Sequence, residues 1–176
     1  LSNGYYHGAI LHRDLWSSSD GVTWIRMLDN TPYDGYSEMV VFKGKMWAIK
    51  GSVWNSTDGV HWTCVLEKTP FGSRGYGEAL VHDGKLWQLG SGPDVWCSKD
   101  GVHWTCVCEA APYGSRFASE VVSHAGKLWL MGGSTPVVNN PPEKTYPRAT
   151  THNDVWSSAD GVEWTRAIEH APWAPR

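Results

Sequence analysis

DVWSSADGVEW, residues 154–164, decides the fold because it is the fourth appearance of one phrase. The others are DLWSSSDGVTW at 14–24, SVWNSTDGVHW at 52–62 and DVWCSKDGVHW at 94–104. A second phrase, GK(M/L)W, starts at Gly44, Gly84 and Gly126, and the two alternate. Spacings of 40 and 42 for the second phrase and 38, 42 and 60 for the first define a repeat of roughly 40 residues. Eleven of the twelve Trp fall on these recurring positions, and only Trp173 stands outside them.

Each repeat reads as four strands, A to D. Apolar and β-branched residues come in runs of four to eight between Gly, Asp and Pro, and no ten-residue stretch keeps a helical period. In the last repeat the pattern predicts A near 117–123, B near 127–131, C near 154–157 and D near 162–168, with Ala125-Gly126 turning A into B and Asp160-Gly161 turning C into D. A three-residue C–D loop with Gly in third place sets Trp16 opposite Trp24, and likewise Trp54 with Trp62, Trp96 with Trp104 and Trp156 with Trp164. The same register sets Asp14 opposite Arg26 and Asp154 opposite Arg166, and puts Cys97 and Cys106 on opposite faces, against a disulfide between them. A Cys64–Cys97 bridge between neighbouring sheets stays open.

Antiparallel units of this size, unable to bury both faces alone, stack radially, so the expectation is an all-β chain forming a β-propeller of four-stranded blades. An A strand, GKLW with a Gly-rich step after it (Gly132-Gly133), then the DVW…DGVxW hairpin resembles the Kelch and galactose-oxidase type of propeller in its bacterial, Trp-rich form. The hairpin is also similar to the Asp-box of sialidase-like propellers, though one residue shorter between Asp and Gly. The resemblance covers nearly the whole chain except 134–153. It implies a fold more than an activity, because the recurring residues are the structural ones.

Four C–D hairpins but three A–B pairs make about three and a half blades, an incomplete wheel within one domain of residues 1–176: a half blade at 1–34, blades at 35–74 and 75–116, and a blade at 117–176. LSNG at 1–4 aligns with 89–92 at the end of a B strand, and 172–176 matches 112–116, the approach to an A strand. Closure therefore calls for flanking sequence or a second copy of the chain.

Composition bounds the partners. With 15 Lys and Arg against 18 Asp and Glu, net charge −3 and no block of like charge, nothing favours nucleic acid. The longest unbroken apolar runs, such as Met39 to Phe42, are too short to span a membrane. No HExxH or similar pairing marks a metal, no cofactor is implied, and Cys64, Cys97, Cys106 and Cys108 read as buried small side chains. A protein or a glycan is the expected partner.

Candidate site residues fall on the face shared by the D–A and B–C connections. Each D–A connection presents an aromatic after Pro: Tyr33, Phe71, Tyr113 and Trp173. A ring of stacking platforms is one reading, and a wedge between blades is the other. Arg74, Arg116 and Arg176 follow at matching places, with Asp34 breaking the series. Glu38, Glu78 and Glu120 each precede a GK glycine by six residues, so Arg–Glu pairs are expected at the start of the inner strands, lining a channel or tying A strands to loops. Two nonrepeated segments add candidates: Tyr5, Tyr6 and His7, running on to His12 and Arg13, and the Pro-rich B–C insertion 134–153 with Tyr146 and Arg148, expected as a stiff extended loop rather than a strand.

The expected function is a noncatalytic binding or assembly module, without catalytic residues. A carbohydrate-active enzyme is the alternative, sialidase-like or resembling the Kelch-type sialic acid epimerases; a structural subunit of a larger complex is another. The galactose-oxidase likeness implies a copper-holding Tyr–Cys and His set that no motif here marks. The sialidase likeness implies an Arg triad and a Tyr nucleophile, roles open to Arg74, Arg116 and either Tyr113 or Tyr146.

Overall fold

A computed structural model describes residues 12–35, 37–74, 77–136 and 149–176. Every regular element among them is a strand, and no helix is long and apolar enough to cross a membrane. A two-stranded sheet, β1 (Leu15–Ser17) with β2 (Ile25–Leu28), comes first. Three four-stranded antiparallel sheets follow in chain order. The second sheet is β3 (Glu38–Phe42), β4 (Lys45–Ile49), β5 (Val53–Ser56) and β6 (Thr63–Leu66). The third is β7 (Glu78–His82), β8 (Lys85–Leu89), β9 (Val95–Ser98) and β10 (Trp104–Cys108).

The insertion interrupts the fourth sheet between its second and third strands. That sheet holds β11 (Glu120–His124), β12 (Lys127–Met131), β15 (Val155–Ser158) and β16 (Thr165–Ile168). Between them, β13 (Ser134–Pro136) and β14 (Ala149–Thr151) pair with each other. The ends of the insertion are thus a short ribbon, a correction to the loop expected from its prolines. The Pro-dense part starts beyond Pro136, while Ser-Thr and Ala-Thr-Thr at the two ends have donors for a ladder.

Inner strands β3, β7 and β11 lie side by side, so the sheets stack in a β-propeller-like arrangement. Two cores fill the gaps. Phe42, Trp47, Ile49 and Val53 of the second sheet meet Leu86 of the third, and Trp87, Leu89 and Val95 meet Val121, Leu128 and Leu130 of the fourth. His82 latches the second gap, its ring nitrogens 2.9 Å from Ser123 Oγ and 3.2 Å from the Ala159 carbonyl.

The A–B turns are two-residue hairpins with both residues at positive φ: Lys43-Gly44, Asp83-Gly84 and Ala125-Gly126. That is the handedness a two-residue link between twisted strands needs. The C–D hairpins differ from the expected register. Ser98 faces Trp104 and Trp96 faces Cys106, so the loop has five residues and the two indoles sit diagonally on one face. The cause is the turn aspartate. Asp100 Oδ1 accepts the N–H groups of Val102 and His103, both at 2.8 Å, while Ser98 Oγ accepts from Gly101 at 2.8 Å. Asp20, Asp58 and Asp160 repeat this cap, which holds two more residues in the turn than a bare backbone bend.

The shift also moves the charges. Arg26 faces Trp16 and Arg166 faces Trp156, each guanidinium over the facing indole at 5.9 and 5.7 Å, not an aspartate. Arg26 still lies 3.9 Å from Asp14, but its nearer partner is Asp29 at 3.1 Å, as Arg166 turns to Glu169 at 3.1 Å. All four cysteines are free thiols.

Candidate functional site

Every D–A turn hydrogen-bonds back to the residue before its sheet-edge aspartate or serine. Thr31, Thr69, Ala111 and Ala171 donate their N–H to the carbonyls of Arg13, Gly51, Pro93 and Asn153, at 2.7 to 2.9 Å. This fixed bond places the following Pro-aromatic pair over the outer hairpin. Tyr33 meets Trp62 with centroids 4.6 Å apart, Phe71 meets Trp104 at 5.0 Å and Trp96 at 5.9 Å, and Tyr113 meets Trp164 at 5.0 Å and Trp156 at 6.5 Å. Edge-to-face geometry suits the ring quadrupoles, with Phe71 and Tyr113 each wedged against two diagonal indoles.

Burial separates these aromatics. Tyr33 and Tyr113 are 6% and 4% exposed and Phe71 is half-buried. Burial pushes the Tyr113 phenol well above its ordinary range. Trp173 has no such neighbour among the described residues. It lines a cleft of about 260 Å3 with Ala118, Glu120, Met131, Gly132, Gly133 and Arg176. The Arg176 backbone closes one side, accepting from Gly133 N at 2.8 Å and donating to His152 O at 3.1 Å.

The arginines do not pair with glutamates. Arg116, 4% exposed at its side chain, holds Asp154 in a two-pronged bond of 2.5 and 2.7 Å and donates to the carbonyls of Tyr113 and Gly132. Arg74 likewise holds Asp94 and donates to Phe71 O at 3.2 Å. Partial burial raises the Asp154 carboxyl, but the Arg116 and Trp156 bonds outweigh it and bring it down to about 2. Where Asp34 replaces the arginine, Ser52 replaces the aspartate, and Lys50 lies 3.1 Å from Asp34. That paired change was the signal in the sequence, and reading it would have found the Arg–Asp partners.

With the guanidiniums turned outward, Glu38, Glu78 and Glu120 open the three adjacent inner strands. Burial first, then the charges of Glu38 and Glu120, raise the Glu78 carboxyl to about 7, and burial leads the upward shift at Glu38. This end is acidic, without the Arg–Glu pairs expected at the start of the inner strands. Among the described residues no group of three or more His, Cys, Asp or Glu is arranged to hold a metal ion. Tyr5, Tyr6, His7, Tyr146 and Arg148 lie outside the described residues.

No protein-family model matches the chain, and neither does any curated protein. Among solved structures it is similar to that of YjhT, with a TM-score of 0.61 and 16% identity, over 80% of this chain and 51% of the other. The chain spans about half the length of that protein, and at this identity the likeness bears on the fold alone.

Proposed function

We propose that this chain is a noncatalytic binding or assembly module, part of a Kelch-like β-propeller of about three and a half blades in an incomplete wheel. It engages a protein or a glycan through the end that carries the D–A and B–C connections. The observation that carries this reading is the contrast among the aromatic turns. Tyr33, Phe71 and Tyr113 are spent on neighbouring indoles and Arg74 and Arg116 on aspartates, whereas Trp173 and Arg176 border an open cleft beside the β13–β14 ribbon. An indole beside a guanidinium and a carboxylate, Glu120, is a recognition surface for a polar partner with an apolar face.

A carbohydrate-active enzyme is the rival, and Glu78 favours it: a carboxyl raised to about 7 is suited to general acid catalysis. Glycan and peptide arrays together with a panel of chromogenic glycosides separate the two. Binding lost in Trp173→Ala, with no glycoside turned over, is the expected result. Turnover that disappears in Glu78→Gln, with the fold intact by circular dichroism, and survives deletion of 137–148 overturns the binding-module reading.

A further inference from the structure

The third sheet has a described neighbour on each side, and over its outer strands lies a cleft of about 450 Å3. Trp87, Cys97 and Thr105 stand abreast across β8, β9 and β10, on the face turned to the fourth sheet. Side chains two residues apart on a strand share a face, so Lys85 joins them, and Lys99 and His103 continue the rows into the C–D turn. Lys85, Cys97, Lys99, Asp100, His103 and Thr105 all line the cleft.

Two cations set this place apart from its counterparts in the other sheets. The sister hairpins form the same Asp-capped turn with Ser19, Thr57 or Ala159 where Lys99 stands, so the turn itself needs no charge there. Lys85 differs from its repeat partners in burial. Lys45 and Lys127 are exposed, whereas Lys85 is half-buried, its ammonium over the Trp87 ring at 5.8 Å. Among the described residues no carboxylate lies within 4.0 Å of either the Lys85 or the Lys99 ammonium. Partial burial of an ammonium without an opposite charge costs free energy, and an anion in the cleft offsets it. Both charges bear on one spot: burial pushes the Cys97 thiol up, and Lys85 and Lys99 work against that rise.

The one carboxylate of the cleft is already occupied. Asp100 Oδ1 accepts from Val102 N, His103 N and Ser98 Oγ, and Oδ2 lies 2.8 Å from His103 Nδ1. These bonds, that of the His103 ring first, hold Asp100 well below the usual carboxylate range. With Nδ1–H donated to Asp100, neutral His103 keeps Nε2 as an acceptor for a hydroxyl. From the second sheet, Lys43 Nζ donates to the Lys99 carbonyl at 2.8 Å and steadies the turn that carries Lys99.

We infer that this cleft binds a sugar bearing a sulfate or phosphate monoester: Lys85 and Lys99 hold the ester oxygens, while His103 Nε2 and Thr105 Oγ1 take hydroxyls of the ring. The chemistry shared by the two esters is a tetrahedral oxyanion on a small hydroxylated body, and the volume suits a ligand of that size. The site shares no residue with the Trp173 cleft and goes beyond the binding-module reading.

The test is calorimetric titration of the intact protein, at physiological ionic strength, with glucose 6-sulfate, glucose 6-phosphate and glucose. At least one ester is expected to bind, one per chain, and glucose is not. Lys99→Thr installs the residue that the second sheet carries at this place, and it weakens the ester about tenfold or more, as does Lys85→Ala. Lys127→Ala, the counterpart of Lys85 in the fourth sheet, leaves binding unchanged. Binding of the sulfate ester alone supports the site with a sulfated glycan as its source, and binding of the phosphate ester alone supports it with a phosphorylated sugar. Should Lys85→Ala unfold the chain by far-ultraviolet circular dichroism, Lys99→Thr carries the test. Absence of ester binding, equal binding of glucose, or a loss as large in Lys127→Ala as in Lys99→Thr overturns the proposal. Glycan or peptide binding that depends on Trp173 is read separately, so either site stands if the other fails.

Discussion

The ring of Trp47 fills the space over Gly101 in the neighbouring sheet so closely that a β-carbon there would overlap it. Gly21 has nearly the same backbone angle, φ +74° against +81°, with open space above it. The two glycines therefore separate backbone strain from packing.

Alanine at either position costs about 1–2 kcal/mol for a side chain at positive φ. Gly101→Ala also drives a methyl into an indole, adding about 1–3 kcal/mol of overpacking. The expected urea midpoint is clearly lower for Gly101→Ala than for Gly21→Ala. Equal midpoints would mean that the Trp47 contact contributes nothing.

Arg116 and Asp154 form the more buried of the two Arg–Asp pairs, at 4% and 12% side-chain exposure against 11% and 23% for Arg74 and Asp94. Arg116→Ala leaves a buried carboxylate unpaired and is expected to cost about 3–5 kcal/mol, with Arg74→Ala costing less. Arg116→Lys recovers little, because an ammonium cannot supply both prongs and the bonds to Tyr113 and Gly132. Thermal unfolding of the three variants checks the order.

Tyr113 carries its hydroxyl into a buried place where, among the described residues, no group accepts from it or donates to it. Removing that oxygen relieves a desolvated group, so Tyr113→Phe is expected to be neutral or to stabilise by up to about 1 kcal/mol. Tyr113→Ala also removes the ring wedged against Trp156 and Trp164, and costs about 3–5 kcal/mol. Chemical denaturation followed by tryptophan emission reads both, and a large loss in Tyr113→Phe would show that the oxygen is partnered.

Glu78 is held above its ordinary value, at about 7, by burial and then by Glu38 and Glu120. The folded state thus binds the proton more tightly than the unfolded state. The stabilisation is complete below the ordinary carboxylate range and is lost as pH rises toward about 7. For this half-exposed group the loss is about 1 kcal/mol after allowance for solvent screening. Melting temperature should fall from pH 5 to pH 8 more steeply in the wild type than in Glu78→Gln; parallel curves would remove Glu78 from the account.

Much of the architecture was legible because its signals are local. Ala125-Gly126 turns A into B where the sequence reading put that bend, and the strands predicted around 127–131 and 154–157 lie where β12 and β15 are found. The C–D register was not legible, because a carboxylate two and three residues before its donors widens the loop without changing its residue types. The site was harder still. Arg74 and Arg116 find aspartates 20 and 38 residues away, past glutamates far nearer in sequence. The Trp173 cleft joins residues 118–133 to 173–176, which no repeat pattern links.

The β13–β14 stem sets Pro136 directly across from Ala149. Twelve residues can therefore enter and leave this point without asking anything of the sheet beneath, where β12 still pairs with β15 as β4 pairs with β5. The molecule thereby carries a ready grafting port: foreign segments of varied length, from a reporter epitope to a receptor-recognition peptide, can be displayed there while the scaffold keeps its register.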